Sequence, residues 1–307
     1  MVGNKMNGKY EFLNLISDGK ASDTTIDGCM VLEGGAFRGL YTQGVLDYLM
    51  KNDINFGMTI GVSAGAMSGL NYVSGQIGRS AKVNLTYRHN QNYVGLGAMK
   101  NDHGVTGFSF LWNDINDDYP FDENYFKENS RGFVAVATDV DTGKPEFFAK
   151  GECDDILRAV QASATVPYVS EPVEIDNKRY LDGGISVNIP YQWALDKGYD
   201  KIVVVRTRDR DYRKSLKIPR SLINREYSHL PRMKDNLLKS SIRYNMEVNN
   251  LNQLEKLGRV FVIAPSQPIN IKRFEGDLDA LANIYWLGYH DAKVALPALK
   301  KYLHKTI

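Results

Sequence analysis

Three short stretches hold residues whose types and spacing suit nucleophilic chemistry. The first is GVSAGA at 61–66, whose leading five residues fit G-x-S-x-G with Ser63 at the centre. That spacing belongs to a serine on a sharp strand-to-helix turn, where Gly61 and Gly65 let the chain bend tightly enough to present the hydroxyl. A helix starting at the serine also favours negative charge developing there. The same pattern fits a plain tight turn with no chemistry. A serine hydroxyl is a poor nucleophile until a base takes its proton, and that base is usually histidine. None of the five histidines, His89, His103, His229, His290 and His304, sits in an obvious motif.

The second stretch is EGGAFRG at 33–39. As a dinucleotide fingerprint it fails twice: Ala36 occupies the middle glycine position, and Asp53, about twenty residues on, precedes the next strand instead of ending it. As an oxyanion hole it fits better. Amides freed at Gly34, Gly35 and Ala36 converge on a developing negative oxygen, and Arg38, followed by Gly39, adds positive charge. A packing turn is the bland alternative. The third stretch, LDGGISVNIP at 181–190, puts Asp182 before Gly183 and Gly184. Alone it reads as a turn. Beside a serine elbow it offers a base, because desolvation raises the basicity of a carboxylate.

These residues need elements to position them. CMVLEGG and NFGMTIGV read as buried strands that end at the glycine loop and at Ser63. LYTQGVLDYLMKND and AGAMSGLNYVSG follow them as helices. Strand, helix, strand, helix implies an α/β fold with a mainly parallel sheet and right-handed crossovers, helices lying on both faces. GFVAVATDV and KPEFFAK form a hairpin around 141–143, and EPVEIDNKRYLDGG a second one turning at Asp176 and Asn177. CDDILRAVQASATVP is a helix stopped by Pro167. DKIVVVRTR is a buried strand. Residues 206–257 are expected to begin with a basic run and continue as a long amphipathic helical stretch, with Leu230, Met233, Leu237, Tyr244, Val248, Leu251 and Leu254 on one face. A last strand, RVFVIAPS, and a closing helix complete the chain. The expected organisation is an extension at 1–26, a catalytic core at 27–205, a helical excursion or lid at 206–258, and a strand and helix at 259–307 completing the same domain.

Composition limits the function classes. With 307 residues, 43% apolar and 24% charged, the chain is expected to build one sizeable core. A formal net charge of +2 argues against nucleic acid as a partner. Two cysteines, Cys29 and Cys153, form neither a disulfide framework nor a metal site. The opening residues carry no apolar core of signal-peptide length, and no later run is long enough to span a bilayer. A cytoplasmic protein with peripheral membrane contact is the expectation. The basic residues of 206–220 read either as a solvated loop or as an attraction for anionic lipid headgroups, at about 1 kcal/mol per Lys or Arg.

Glycine loop with arginine, then G-x-S-x-G, then D-G-G, each at a strand end and in that order, resembles the patatin-like phospholipase family over residues 29–205. The resemblance implies a patatin-like fold and a serine–aspartate dyad without histidine: Ser63 as nucleophile and Asp182 as base. It further implies an oxyanion hole from Gly34, Gly35 and Ala36 supported by Arg38, with no cofactor and no metal. The implied substrates are acyl esters of phospholipids, other glycerolipids or small esters. Two residues depart from the family pattern: Glu33 stands where Asp usually opens the loop, and Ala36 replaces its third glycine. The competing readings are an α/β-hydrolase triad of Ser63, Asp182 and His229 or His290, and a lipid-binding protein without catalysis.

Overall fold

The computed structural model describes residues 10–304. After a short strand β1 (Gly19–Lys20) the chain enters a sheet through β2 (Ile26–Leu32), leaves by α1 (Gly39–Lys51), returns through β3 (Phe56–Val62) and leaves again by α2 (Ala64–Val73). Strand β4 (Gln76–Ile77) pairs back on β1 in a separate two-stranded ribbon. Helices α3 (Arg79–Tyr87), α4 (Leu96–Asp102) and α5 (Glu123–Glu128) lead to the hairpin of β5 (Gly132–Asp139) and β6 (Pro145–Ala149). Helix α6 (Ile156–Ser163) precedes a second hairpin, β7 (Val173–Ile175) and β8 (Lys178–Asp182), then α7 (Tyr191–Asp196) and β9 (Ile202–Val205). Helices α8 (Arg220–Glu226), α9 (Pro231–Leu238) and α10 (Ser240–Lys256) intervene before β10 (Phe261–Ile263) and α11 (Leu278–Leu303).

The main sheet is parallel from β10 through β9, β2 and β3 to β5, and antiparallel where β6 and β8 join β5 and β7 joins β8. Its inner strands read as unbroken apolar runs because both faces are covered. Met30, Leu32, Phe133, Ala135, Val203 and Val205 point into a core shared with α1, α2 and α11. Their neighbours Cys29, Val31, Val134, Val136, Ile202 and Val204 point the opposite way, into a core shared with α7 and α10. The period of two thus sorts one strand sequence onto two helical layers. Helix α11 lies close against α1: a methyl group on Gly288 would sit 2.0 Å from the Tyr41 carbonyl oxygen, so the crossing requires glycine there.

One edge of β5 positions the chemistry. Val136 pairs with Val62, the last residue of β3, and one residue further Ala137 pairs with Asp182, the last residue of β8. Strand β6 occupies the other edge at both positions. Strands β3 and β8 therefore meet end to end along β5, running in opposite directions, and their C-terminal residues abut.

Residues 206–257 differ from the expected long helical stretch. The chain bends at 207–208, turns at 210–211 and then runs to Pro219 as an extended, unpaired stretch, and three helices follow. Pro219 sets the start of α8 and Pro231 the start of α9, since each restricts its own φ and disfavours helix at the preceding residue, while a turn at Lys239 separates α9 from α10. In the extended part, Tyr212, Lys214, Leu216 and Ile218 are half-buried while Asp211, Arg213, Ser215 and Lys217 are exposed. This strap is pinned to α10: the Lys214 amide donates to Asn245 Oδ1 at 2.8 Å, and Asn245 Nδ2 donates to the Lys214 carbonyl at 3.1 Å. Met233 and Leu237 pack in a small core with Ile223 and Leu181, whereas Tyr244, Val248 and Leu251 belong to the core under the sheet. Among the described residues no helix is long and apolar enough to cross a membrane.

Candidate active site

Ser63 follows β3 directly and starts α2, with φ 56° and ψ −125°. A non-glycine residue in that region is strained, and a strained strand-to-helix turn is what exposes an elbow serine. The surroundings leave room only for glycine at Gly65, where a methyl group would lie 2.4 Å from the Leu32 carbonyl oxygen. Gly61 lies beneath the same turn, so β2, β3 and the first turn of α2 close tightly around Ser63. The Ser63 amide donates to Ser163 Oγ at 2.9 Å, and that hydroxyl donates in turn to the Val136 carbonyl at 2.6 Å. Ser163 thereby ties the elbow to β5.

The end-to-end strands bring Ser63 and Asp182 together. Ser63 Oγ donates to Asp182 Oδ2 at 2.8 Å, and the Gly184 amide donates to Asp182 Oδ1 at 2.8 Å. Thr138 Oγ1 fixes the backbone by donating to the Asp182 carbonyl at 3.0 Å. Burial pushes the Asp182 carboxyl above the usual carboxylate range, and the Ser63 and Gly184 hydrogen bonds and the charges of Arg273 and Lys214 pull it part of the way back. Gly183 is buried against β5. The geometry is that of a hydroxyl donor held against a carboxylate with raised proton affinity.

The glycine loop lies beside the elbow. Gly34 sits against Val62 and Ser63, and Gly39 against Ala64. Among the described residues, no hydrogen-bond acceptor is paired with the amides of Gly34, Gly35 or Ala36. Ala36 adopts φ +48°, a left-handed conformation that explains why glycine suits this position. The loop is anchored through Glu33, whose buried carboxylate accepts from the Thr207 amide and the Tyr244 hydroxyl, each at 2.7 Å. Thr207 Oγ1 also donates to the Gly34 carbonyl at 2.8 Å. Arg206 is fully buried beside Glu33, with Nε 4.0 Å from the carboxylate. Arg206 therefore leaves the set of basic residues available to a membrane surface. Arg38 lines the cleft with its Nε unpartnered, and burial, with Arg208 nearby, lowers its proton affinity to about 10.

Two cavities meet at Ser63. An apolar pocket of about 90 Å³ runs past Met67, Leu70, Val83, Leu111, Trp112 and Ile115. A larger cleft of about 460 Å³ holds Asp182, the glycine loop, Arg38 and the strap. Ser63, Ala36 and Val166 line both. No histidine lines either cavity, and all five are exposed. His290 Nδ1 faces Asp291, and His89 Nε2 lies 2.7 Å from the Gly276 carbonyl. Sequence patterns did not reveal Ser163, Thr207 or Tyr244. Each acts through a contact distant in the chain, and only the run of small residues around Ser163 gave a local sign of close packing.

The patatin-like phospholipase family model matches residues 30–195, and a domain of unknown function (DUF6363) matches residues 230–304. The chain is 28% identical over 183 residues to the uncharacterized protein YjjU of Escherichia coli (strain K12), covering 58% of this chain and 51% of YjjU, about half its length. It is 23% identical over 209 residues to the probable lipid hydrolase 463L of Invertebrate iridescent virus 6, covering 61% of this chain and 72% of that protein. Among solved structures, VipD from Legionella pneumophila aligns over 97% of this chain and 72% of its own, at 12% identity and a TM-score of 0.49. The 230–304 match is not a separate lobe here: it supplies α10, the sheet strand β10 and helix α11, and with them Tyr244.

Proposed function

This chain belongs to the patatin-like phospholipase family, and on that premise we propose that it is a serine acyl hydrolase working through Ser63 and Asp182 on lipid esters. The observation that carries the reading is the 2.8 Å hydrogen bond from Ser63 Oγ to a carboxylate of raised proton affinity at the junction of an apolar and a polar cavity. In this reading the acyl chain enters the apolar pocket and Ser63 Oγ attacks the ester carbonyl as Asp182 takes its proton. The amides of Gly34, Gly35 and Ala36 receive the oxyanion, with Arg38 adding charge. Asp182 then returns the proton to the departing alcohol. A water activated by the same carboxylate releases the fatty acid and restores Ser63.

The test is ester turnover and labelling by a fluorophosphonate. Ser63→Ala should abolish labelling and hydrolysis, and Asp182→Asn should lower hydrolysis by at least a thousandfold with the fold intact. Because the two act as a unit, the double variant should be little worse than either single one, and additive losses would count against a dyad. The triad alternative requires His229 or His290 to reach the site, and their exposed positions outside both cavities oppose it. Replacing either by glutamine should leave turnover within a few-fold of wild type. A well-folded variant that lost three orders of magnitude, about 4 kcal/mol of barrier, would restore the triad.

A further inference from the structure

The smaller pocket is apolar along its walls and polar at its inner end. Ala64, Met67, Leu70 and Asn71 line it from α2, and their spacing puts them on one face of that helix. The pocket therefore follows α2 away from Ser63. At 1.5 Å of rise per residue, Asn71 lies about 12 Å along the helix from the nucleophile. There the lining continues with Gln43 from α1 and with Arg79 and Asn84 from α3, and Asn84 Nδ2 donates to Gln43 Oε1 at 3.4 Å.

Arg79 is the unusual member. It is 8% exposed, and its Nη1 donates to Asn71 Oδ1 at 2.9 Å while its Nε donates to the Tyr119 and Pro120 carbonyls, each at 3.0 Å. The Phe121 ring packs against the guanidinium, 5.4 Å from its centroid. Stapling α2 to residues 119–121 accounts for Nε and Nη1, all through neutral oxygens, and leaves Nη2 and the charge unused. Nη2 is buried without a hydrogen-bond partner, and so is Nε1 of Trp112, which lines the same pocket. Among the described residues no carboxylate lines this pocket, and Arg79 forms no ion pair. Burial lowers the proton affinity of Arg79 to about 10 with no neighbouring charge to offset it, so the group is a cation at neutral pH. A buried cation without a counter-charge is costly, and a ligand that carries the missing negative charge relieves that cost.

We propose that the inner end of this pocket binds a carboxylate at the far end of the acyl chain, so that the acyl groups taken are those of half-esters of medium-length α,ω-dicarboxylic acids. The assignment rests on the acyl-hydrolase reading for its orientation, with the ester carbonyl at Ser63 and the chain running along α2. Met67, Leu70 and Val83 then pack on the methylene groups, and Arg79 receives the terminal carboxylate in a charge-assisted hydrogen bond. A methyl terminus in the same place leaves the donors unpaired. A site built to hydrogen-bond a group discriminates strongly against the analogue that lacks it, far more than an apolar pocket does between chain lengths.

The experiment compares p-nitrophenyl half-esters of straight-chain dicarboxylic acids of six, eight and ten carbons with methyl-ended and carboxamide-ended esters of equal length, all below their critical micelle concentrations. At the best length, wild-type kcat/KM should be at least tenfold higher for the carboxylate than for either neutral ending. That ratio should fall toward one in Arg79→Gln, and Arg79→Lys, which keeps the charge, should retain part of it. Equal values for the three endings at every length, or a preference that survives Arg79→Gln, would overturn the proposal. Because Arg79 also holds two backbone carbonyls, calorimetry on Ser63→Ala protein supplies a measurement that leaves it in place. Tenfold tighter binding of monoethyl octanedioate than of ethyl octanoate supports the site, and equal Kd refutes it. A wild-type protein that hydrolyses none of the esters would defeat the hydrolase reading, and the binding comparison would still decide the carboxylate site.

Discussion

Tyr244→Phe isolates the link between the C-terminal part of the chain and the glycine loop. The substitution keeps the ring, which packs under the sheet, and removes one hydroxyl that donates at 2.7 Å to Glu33. Both residues are 3% exposed, so water does not replace the lost donor. A hydrogen bond to a charged acceptor contributes about 1.5–3 kcal/mol. Glu33 keeps the Thr207 amide at 2.7 Å and the Arg206 guanidinium at 4.0 Å, but the buried Arg206 Nη2, 3.4 Å from the same hydroxyl, loses its acceptor, so the loss is about 2–3 kcal/mol. That is a small enough share of a stability of about 5–15 kcal/mol for the variant to fold. Urea denaturation should show a lower midpoint with an unchanged slope. Catalysis reads the second consequence. Glu33 holds Thr207, and Thr207 holds the Gly34 carbonyl, so a loosened anchor misplaces the amides that, in the proposed mechanism, act only as charge develops. We expect kcat to fall about tenfold, roughly 1.4 kcal/mol, with KM nearly unchanged. Stability within about 0.5 kcal/mol of wild type together with unchanged kcat would refute the anchoring role.

Ala36→Gly should keep or raise kcat. It relieves a left-handed alanine, about 1–2 kcal/mol, against a glycine entropy cost of about 0.5–1 kcal/mol, and a folded but inactive variant would mean that the loop has been misread. Asp47, buried and accepting from the Gly78 amide and the Tyr285 hydroxyl, is pushed up to about 7, chiefly by burial. Between its unfolded value near 3.8 and about 7 the folded state holds a proton that the unfolded state has lost, so stability should fall as pH rises through this window and level off above it. Thermal midpoints measured from pH 4 to 8 should show a shallower decline in Asp47→Asn, and parallel curves would refute the assignment. For Asp182, kcat/KM should fall as pH drops through a carboxyl value displaced above the ordinary aspartate range, and an acid limb at or below that range would contradict its desolvation.

Much of the fold was legible because buried parallel strands announce themselves as apolar runs ending in glycine. The strands before the glycine loop and before Ser63, both hairpins, and helix α11 were all visible in this way. The Asp176–Asn177 turn was legible from its residues, and both adopt positive φ, as a two-residue hairpin requires. Residues 206–219 were legible only as a basic run, because arginines and lysines in sequence carry no sign of which side chains turn inward. Only the alternation in space shows that Lys214 lines the cleft that holds Ser63 while Arg213 faces Asn249. Burial of Arg206 was invisible for the same reason: its partner Glu33 lies far away in the chain and was noted only as a departure in the glycine loop. The proximity of Ser63 to Asp182 came from motif order, whereas its cause, two strands meeting end to end on β5, is a matter of register.

That shared edge makes the spacing of the two residues a stepped quantity. Along a strand, positions advance by about 3.4 Å and successive side chains face opposite sides of the sheet. If β8 slid by one residue along β5, Asp182 would turn to the wrong layer; a slide of two would restore its facing but carry it about 7 Å along the strand. Neither arrangement leaves a hydrogen bond to Ser63. The site is therefore indexed like a ratchet tooth, engaged in one register and disengaged in the next. That index is held by the β5–β8 ladder itself, where Ala137 pairs with Asp182, Thr138 with Leu181 and Asp139 with Tyr180, so these three pairings decide whether the teeth meet.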